Sequence, residues 1–360
     1  MAGRPPLRNL ARLAWLPPLA LVVAGFLLAG DGLRAALGAY LAAWLLGLAV
    51  ALGSMSLVFV HVLTGGAWGR RLGSELAAGA RLLPWVALAV LPLLAGMHWL
   101  FPWLGGAAGD PELARQHWYL NLPAFLLRTL LCLALWGWLA AGVARRRPWR
   151  QGQAAAGLIV LAVTSFVAAV DWIMSLVPRW HSTDIGLLLF SAQALLAFAL
   201  ALCASRAGPR GDADAVARDC GNLLLALVLG WAYVAFMDYL TAWVADLPAE
   251  TAWYLPRLRG GWGGVALALV GVGLVLPFAA LLYGRVKSSR RALAWVAGVV
   301  VLAQGLNALW LVLPGMAPDG VTAAAGAALV FLGMLALGAL AWRAALRRER
   351  SRWAALESLA

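Results

Sequence analysis

Ten apolar stretches, each long enough or nearly so to cross a bilayer, restrict this chain more than anything else in it. They lie at 13–29, 37–63, 82–101, 121–143, 154–176, 185–204, 220–245, 263–284, 293–313 and 322–345. A membrane-spanning helix needs about 20 mostly apolar residues, whereas a spanning β-strand is shorter and alternates in polarity. These runs do not alternate. Ala, Leu and Gly dominate them, and small residues let helices approach closely in lipid, where van der Waals contact does most of the work. The sequence therefore predicts an all-α polytopic transmembrane protein of about ten helices, a single integral membrane domain over residues 1–360. The longest stretches between runs, 102–120 and 205–219, are too short to bury a soluble core.

Composition closes the other routes. Of 360 residues 64% are hydrophobic and 12% charged, which excludes disorder. Three cysteines are too few for a disulfide scaffold. Cys132, Cys203 and Cys220 fall within or at the ends of apolar runs and read as small hydrophobes. The net charge of +13 sits in short loops between spans. The expected partner is therefore membrane lipid, not nucleic acid.

The loops alternate in charge. Twenty-two of the 28 Lys and Arg fall in one alternating set of loops, five in the other, and Arg128 inside a run. By the positive-inside rule both termini are expected in the cytoplasm. The first run, preceded by Arg4, Arg8 and Arg12, also fits a signal peptide. No clear small-x-small cleavage site follows it around Leu28-Ala29-Gly30, so a retained helix is expected. The five arginines from Arg343 onward predict an amphipathic basic helix lying on the cytoplasmic surface.

Polar residues inside the runs are the best pointers to function, because ionisable groups in a bilayer are costly and usually face a bundle interior or a cavity. They are His61, His98, Arg128, Asp171, Asp238, Gln193, Gln304 and Asn307, with Asp184 just beyond the outer end of a run. His98, Arg128, Asp171, Asp238 and Asn307 fall in the outer half by the alternation above, and His61 near the inner end. Thr164 and Asp171 share a helix face, as do Gln304 and Asn307, and Ser54 and His61. The functional reading is an outer-side pocket for a quinone head group, or part of a proton path. The competing reading is one structural ion pair with interhelical hydrogen bonds. Arg128 can neutralise only one carboxylate. The expectation is that it pairs with Asp238 and leaves Asp171 to handle protons. A bis-histidine haem needs two histidines at one depth. His61 and His98 lie at opposite depths, and His117 and His181 in loops, so no haem is expected. With three cysteines no Fe–S cluster is expected, and no metal site either.

Three segments carry a family resemblance. One is Leu63-Thr64-Gly65-Gly66-Ala67-Trp68-Gly69. Another runs from Asp171-Trp172-Ile173-Met174-Ser175-Leu176-Val177-Pro178 to Thr183. The last combines Gly221-Asn222-Leu223-Leu224, Trp231-Ala232-Tyr233, Asp246-Leu247-Pro248 and Trp253-Tyr254-Leu255. With Tyr119-Leu120-Asn121, they resemble the second quinol-type membrane subunit of alternative complex III, a quinol:electron-acceptor oxidoreductase, of the polysulfide-reductase-type membrane family. The resemblance implies two four-helix bundles, the second to fifth and sixth to ninth runs, flanked by the first and tenth. It implies a bacterial inner membrane. The implied partners are a larger related membrane subunit, an iron–sulfur subunit and haem c subunits. It also implies a role in proton conduction, with quinol oxidation placed in the larger sister subunit and no redox centre bound by this chain. Where the family pattern has Glu and His, this chain has Val177 and Arg179; Asp184 and Asp238 are the acids left at the outer mouth. Two other classes remain open: a secondary transporter, and a structural anchor or assembly subunit associated with a terminal oxidase.

Overall fold

The structure is a computed structural model that describes residues 13–105, 111–145, 148–205, 213–316 and 321–357. The Arg4, Arg8 and Arg12 flank, Arg146, Arg147, Arg206 and Arg210 lie outside the described residues. The fold is all-α. Its helices are α1 (Leu16–Ala29), α2 (Leu33–Thr64), α3 (Ala67–Ala80), α4 (Leu122–Ala144), α5 (Gln151–Trp172), α6 (Ile185–Ala204), α7 (Ala213–Ala245), α8 (Pro248–Leu258), α9 (Gly260–Ala268), α10 (Leu276–Leu282), α11 (Arg290–Val312) and α12 (Val321–Glu357). Shorter helical turns connect them. Nine helical stretches among the described residues are long and apolar enough to span a membrane, and the protein is a multi-pass membrane protein.

The first of those stretches, Leu16–Thr64, contains two of the expected runs. Gly30, at φ +48°, and the 3-10 turn Gly30–Gly32 reverse the chain between α1 and α2. The Phe26 and Tyr40 rings lie 6.2 Å apart, whereas fourteen residues of unbroken helix would separate them by about 21 Å. The run at 82–101 is not one helix. It is a leg of short pieces, Leu83–Leu88, Leu91–Ala95 and Met97–Leu100, because Pro84 and Pro92 each remove a backbone donor. Carbonyls along a broken leg need partners from its neighbours. Here Tyr40 Oη donates to Ala89 O at 3.0 Å, and Trp44 Nε1 to Val86 O at 2.9 Å, both from α2.

Two core helices organise the rest. The broken leg, α4 and α5 pack around α2; α7 and α11 pack around α6, and α9, the following segment and α10 against α7 and α11. α2 and α6 touch each other where Gly53 leaves no space: a Cβ there would lie 1.9 Å from Gln193 O. α1 pairs with α12 along a small-residue seam in which Gly25 faces Gly326 and Gly333 faces Val22.

Three helices overrun the membrane. α2, α7 and α12 have 32, 33 and 37 residues, against about 20 for a crossing. The segment carrying Arg70, Arg71 and Arg81, expected as a loop, is the 14-residue helix α3, antiparallel to the end of α2 and half sunk into the bundle. The basic C-terminal stretch is helical as expected, continuing α12 as one helix, with Arg343, Arg347, Arg348 and Arg352 exposed. Its inner face is held by the protein. Glu349, fully buried, is bound by Arg81; Arg350 donates to Glu75 at 2.8 Å and also to Ala204 O. Arg81 donates in turn to Ala144 O at 2.7 Å. The C-termini of α4 and α6 are thus capped by guanidinium groups, which suits the negative end of a helix dipole. The basic loops gather at this end and Asp171, Asp238 and Trp180 at the other, as alternate crossing requires.

Candidate functional site

The two acidic residues at membrane depth sit in different surroundings, one in each half. Asp171, on the last turn of α5, receives Arg128 of α4 through two bonds, Nε to Oδ2 and Nη2 to Oδ1, both 2.9 Å. Nη1 of Arg128 donates to Tyr119 O at 3.1 Å, and the Tyr119 ring lies 3.8 Å from the guanidinium carbon. Burial, and then the negative charge of Asp171, push the Tyr119 hydroxyl up to about 12. Trp172 packs against Trp44, Phe101 and Phe125 with ring centroids 4.9–5.9 Å apart, and the void beside the pair holds only about 10 Å³. The expected pairing of Arg128 with Asp238 is therefore wrong. α4 and α5 are adjacent in the first half, while Asp238 lies across the molecule on α7. Asp171, expected to handle protons, is the locked partner.

Among the described residues the carboxyl group of Asp238 is held by two hydroxyls and pairs with no cation. Ser182 donates to Oδ1 and Tyr254 to Oδ2. Ser182 is held by the turn that starts α6, where Asp184 N and Ile185 N both donate to its Oγ. Tyr254 comes from α8, a short amphipathic helix that starts at Pro248 and lies across the outer end of α7. Burial, and then the charge of Asp238, raise the Tyr254 hydroxyl far above the ordinary tyrosine range. Three residues on, Arg257 is 1% exposed. It donates to Trp253 O and Leu311 O at 2.7 Å each, with the Trp253 ring 3.1 Å beneath it. Burial lowers its pKa to about 9, so it remains a cation at neutral pH. Trp253 stacks on its other face with Trp180 at 3.9 Å and 6°.

Asp238 opens onto a cavity of about 760 Å³ between α7, α9 and α11, roofed by α8. Asp238, Tyr254 and Asn307 lie at its outer end; Trp231, Leu269 and Leu274 line it deeper in. One wall is the glycine-rich α9, where Gly263 and Gly264 take the place of side chains, followed by a π-helical segment, Leu269–Val275. Such segments are uncommon and recur at functional sites. The lining residues Phe236, Tyr239, Leu267 and Val270 are 57%, 39%, 75% and 54% exposed on the exterior. The cavity therefore opens sideways onto the apolar belt. A concave, largely apolar space with a few convergent polar groups is the usual form of a small-molecule site.

The other sequence candidates are distributed as follows. Asn307 lines the cavity, and its Nδ2 reaches Gln304 Oε1 at 3.4 Å. Asp184 is half-buried beside the Ser182–Asp238 bond. Gln193 accepts from Ser165 at 3.0 Å, with its Nε2 buried and unpaired. Thr164 accepts from Trp136 at 2.7 Å. His98 is exposed on the outside of the broken leg and does not face the cavity. His61 is half-exposed near the end of α2, its Nδ1 3.0 Å from Gly65 O and its ring edge-on to Trp68. Both histidines thus lie outside the site. The sequence reading missed Ser182, Tyr254 and Arg257 as site residues, since they sit in segments taken as loops. The signal was there in part: Tyr254 and Arg257 are three apart on an amphipathic stretch opened by a proline. Compared with known families and curated proteins, the chain matches no family model and no curated relative.

Proposed function

We propose that the chain is an integral membrane subunit of a respiratory quinol:electron-acceptor oxidoreductase of the alternative complex III type. In this reading α6, α7, α9–α10 and α11 form a quinone-facing bundle. The observation that carries it is the laterally open cavity with Asp238, Tyr254 and Asn307 at its outer end. A quinone is a ring with polar oxygens on a long apolar tail. It travels within the bilayer and must be taken up from the side. The ring oxygens would meet the polar end, and the tail would leave between Phe236 and Tyr239 on one side and Leu267 and Val270 on the other. A carboxyl group in hydrogen-bond reach of the ring is the group suited to exchange protons with it. Asp238, held by two hydroxyls with no guanidinium, is free for this role in a way Asp171 is not. The proposed partners are a larger related membrane subunit, an iron–sulfur subunit and haem c subunits. The proposed location is the inner membrane with the basic end in the cytoplasm.

A transporter would use helices broken at the substrate site. The broken leg Leu83–Leu100, with Val86 O and Ala89 O bonded by α2, lies in the other half, away from the cavity, so it does not favour that reading. The deciding experiment is gentle solubilisation of native membranes and affinity capture of the tagged chain. Co-purification of haem c absorbance and iron–sulfur EPR signals is expected. Capture of the chain with neither would overturn the assignment.

A further inference from the structure

The turn between α5 and α6 is tied to the rest of the outer end at several points. Trp180 stacks on Trp253, a lining residue of the cavity, and Ser182 donates to Asp238. His181 stands between the two and is exposed. Facing this turn is the short helix Pro111–Gln116, in the segment that leads to α4. Gln116 reaches across from its end. Its Nε2 lies 2.8 Å from Pro178 O and 3.1 Å from His181 Nε2. A carbonyl oxygen only accepts, so the end of the Gln116 amide that faces Pro178 is its NH2 group. The same NH2 group faces His181 Nε2 and has no lone pair to offer, so the ring nitrogen is the acceptor. An imidazole nitrogen accepts only while it carries no proton. The two contacts together therefore require a neutral His181 with its hydrogen on Nδ1. A proton on Nε2 would set N–H against N–H. Turning the amide over does not repair this, because its oxygen would then face Pro178 O. The titratable and charged groups around the ring are Tyr119, across the same outer pocket of about 240 Å³, Arg115 and His117 flanking Gln116, and Arg179 and Asp184 on its own turn.

We propose that Gln116 and His181 form a proton-operated latch, which ties the segment before α4 to the turn before α6 while His181 is neutral and lets go when the ring takes up a proton. Histidine is the side chain that changes charge between about pH 5 and 8. The latch joins the two halves of the molecule at the end opposite the basic loops. Its open state frees a turn whose neighbouring residues, Trp180 and Ser182, support Trp253 and Asp238. Acidity at that end thus acts on the support of the cavity without a proton entering it.

The test is hydrogen exchange of the full chain in lipid nanodiscs, read by mass spectrometry on peptides covering 174–185 at about pH 8 and about pH 5.5, on either side of the histidine range. Each rate is corrected for chemical exchange at its pH. Protection of the wild-type turn is expected to fall about three- to ten-fold at the lower pH, the equilibrium worth of one net hydrogen bond. His181→Gln places an amide oxygen near the position of Nε2 and does not titrate, so its turn should stay protected at both values. Gln116→Leu should be weakly protected at both. Gln116→Glu offers an acceptor that bonds only the protonated ring, so its protection should be greater at the lower pH, the reverse of wild type. Both positions lie at the surface or half-buried, and the exchange of the spans in the same samples reports whether each variant is folded. Equal corrected protection of the wild-type turn at both pH values would overturn the latch. So would a pH dependence that survives His181→Gln, or a Gln116→Glu variant that follows the wild type.

Discussion

Arg128 and Asp171 show what a buried charge costs when its partner is taken away. With two guanidinium–carboxylate bonds and an aromatic ring over the cation, the pair is self-contained. Arg128→Leu strands a carboxylate that is 2% exposed, and breaking such a pair costs about 3–5 kcal/mol. A marked drop in thermal unfolding temperature in detergent is expected, and Arg128→Leu with Asp171→Leu should recover most of it. Unchanged stability in Arg128→Leu alone would show that the pair contributes nothing. Asp238→Leu needs no such rescue by a cation, because only two hydroxyls lose their acceptor. A loss nearer about 1–3 kcal/mol is expected, the cost of unsatisfied buried polar groups, checked by the same unfolding measurement. At this scale the sequence showed which residues matter but not who meets whom. Both acids stood at one depth, and depth follows from position along a run. Partnership follows from which helices are neighbours, and hydropathy carries no trace of that.

Among the elements, the glycines divide into those that hold helices together and those that leave space. Gly53 lets α2 touch the α6 backbone. Gly53→Ala places a carbon on Gln193 O and should cost about 1–3 kcal/mol by overpacking, or prevent accumulation of folded protein. Gly230, on α7, meets nothing within 4 Å. Gly230→Ala should be neutral or stabilising by up to about 1 kcal/mol, since Ala is the better helix former. Size-exclusion profiles and unfolding temperatures of the two variants test this, and similar behaviour would break the distinction. The spans were legible because length and apolarity suffice to identify them. The broken leg was not, although Pro84 and Pro92 lie in plain sight, because a proline break is tolerated wherever a neighbour satisfies the carbonyls. Helix α8 and the π-helical wall were also hidden. Eleven amphipathic residues look like loop between two spans, and a glycine-rich apolar run reads the same whether its turns are α or π.

In the whole molecule, loops that alternate in charge along the chain gather at opposite ends. If the basic end is cytoplasmic, a cytoplasmic reporter fused after Arg147 or Arg291 should be active and a periplasmic one silent; the reverse at either position would break the topology. Chain truncation after Arg343 removes Glu349 and Arg350, which between them hold Arg81, Glu75 and the end of α6. The shortened protein is expected to lose its monodisperse folded peak in detergent, and an unaltered peak and unfolding temperature would mean that the extension is passive. The pairing of α1 with α12 also has a bearing on how the protein is made. These two helices are neighbours in space, yet α2 to α11 are all synthesised between them. During translation α1 waits in the membrane with its glycine seam facing lipid, and α6 waits without the Arg350 cap on Ala204 O. A chain that stops before residue 321 leaves the α1 seam exposed and α6 without its Arg350 cap. Synthesis of α12 thus covers the α1 seam and the end of α6 only after α2 to α11 have been made.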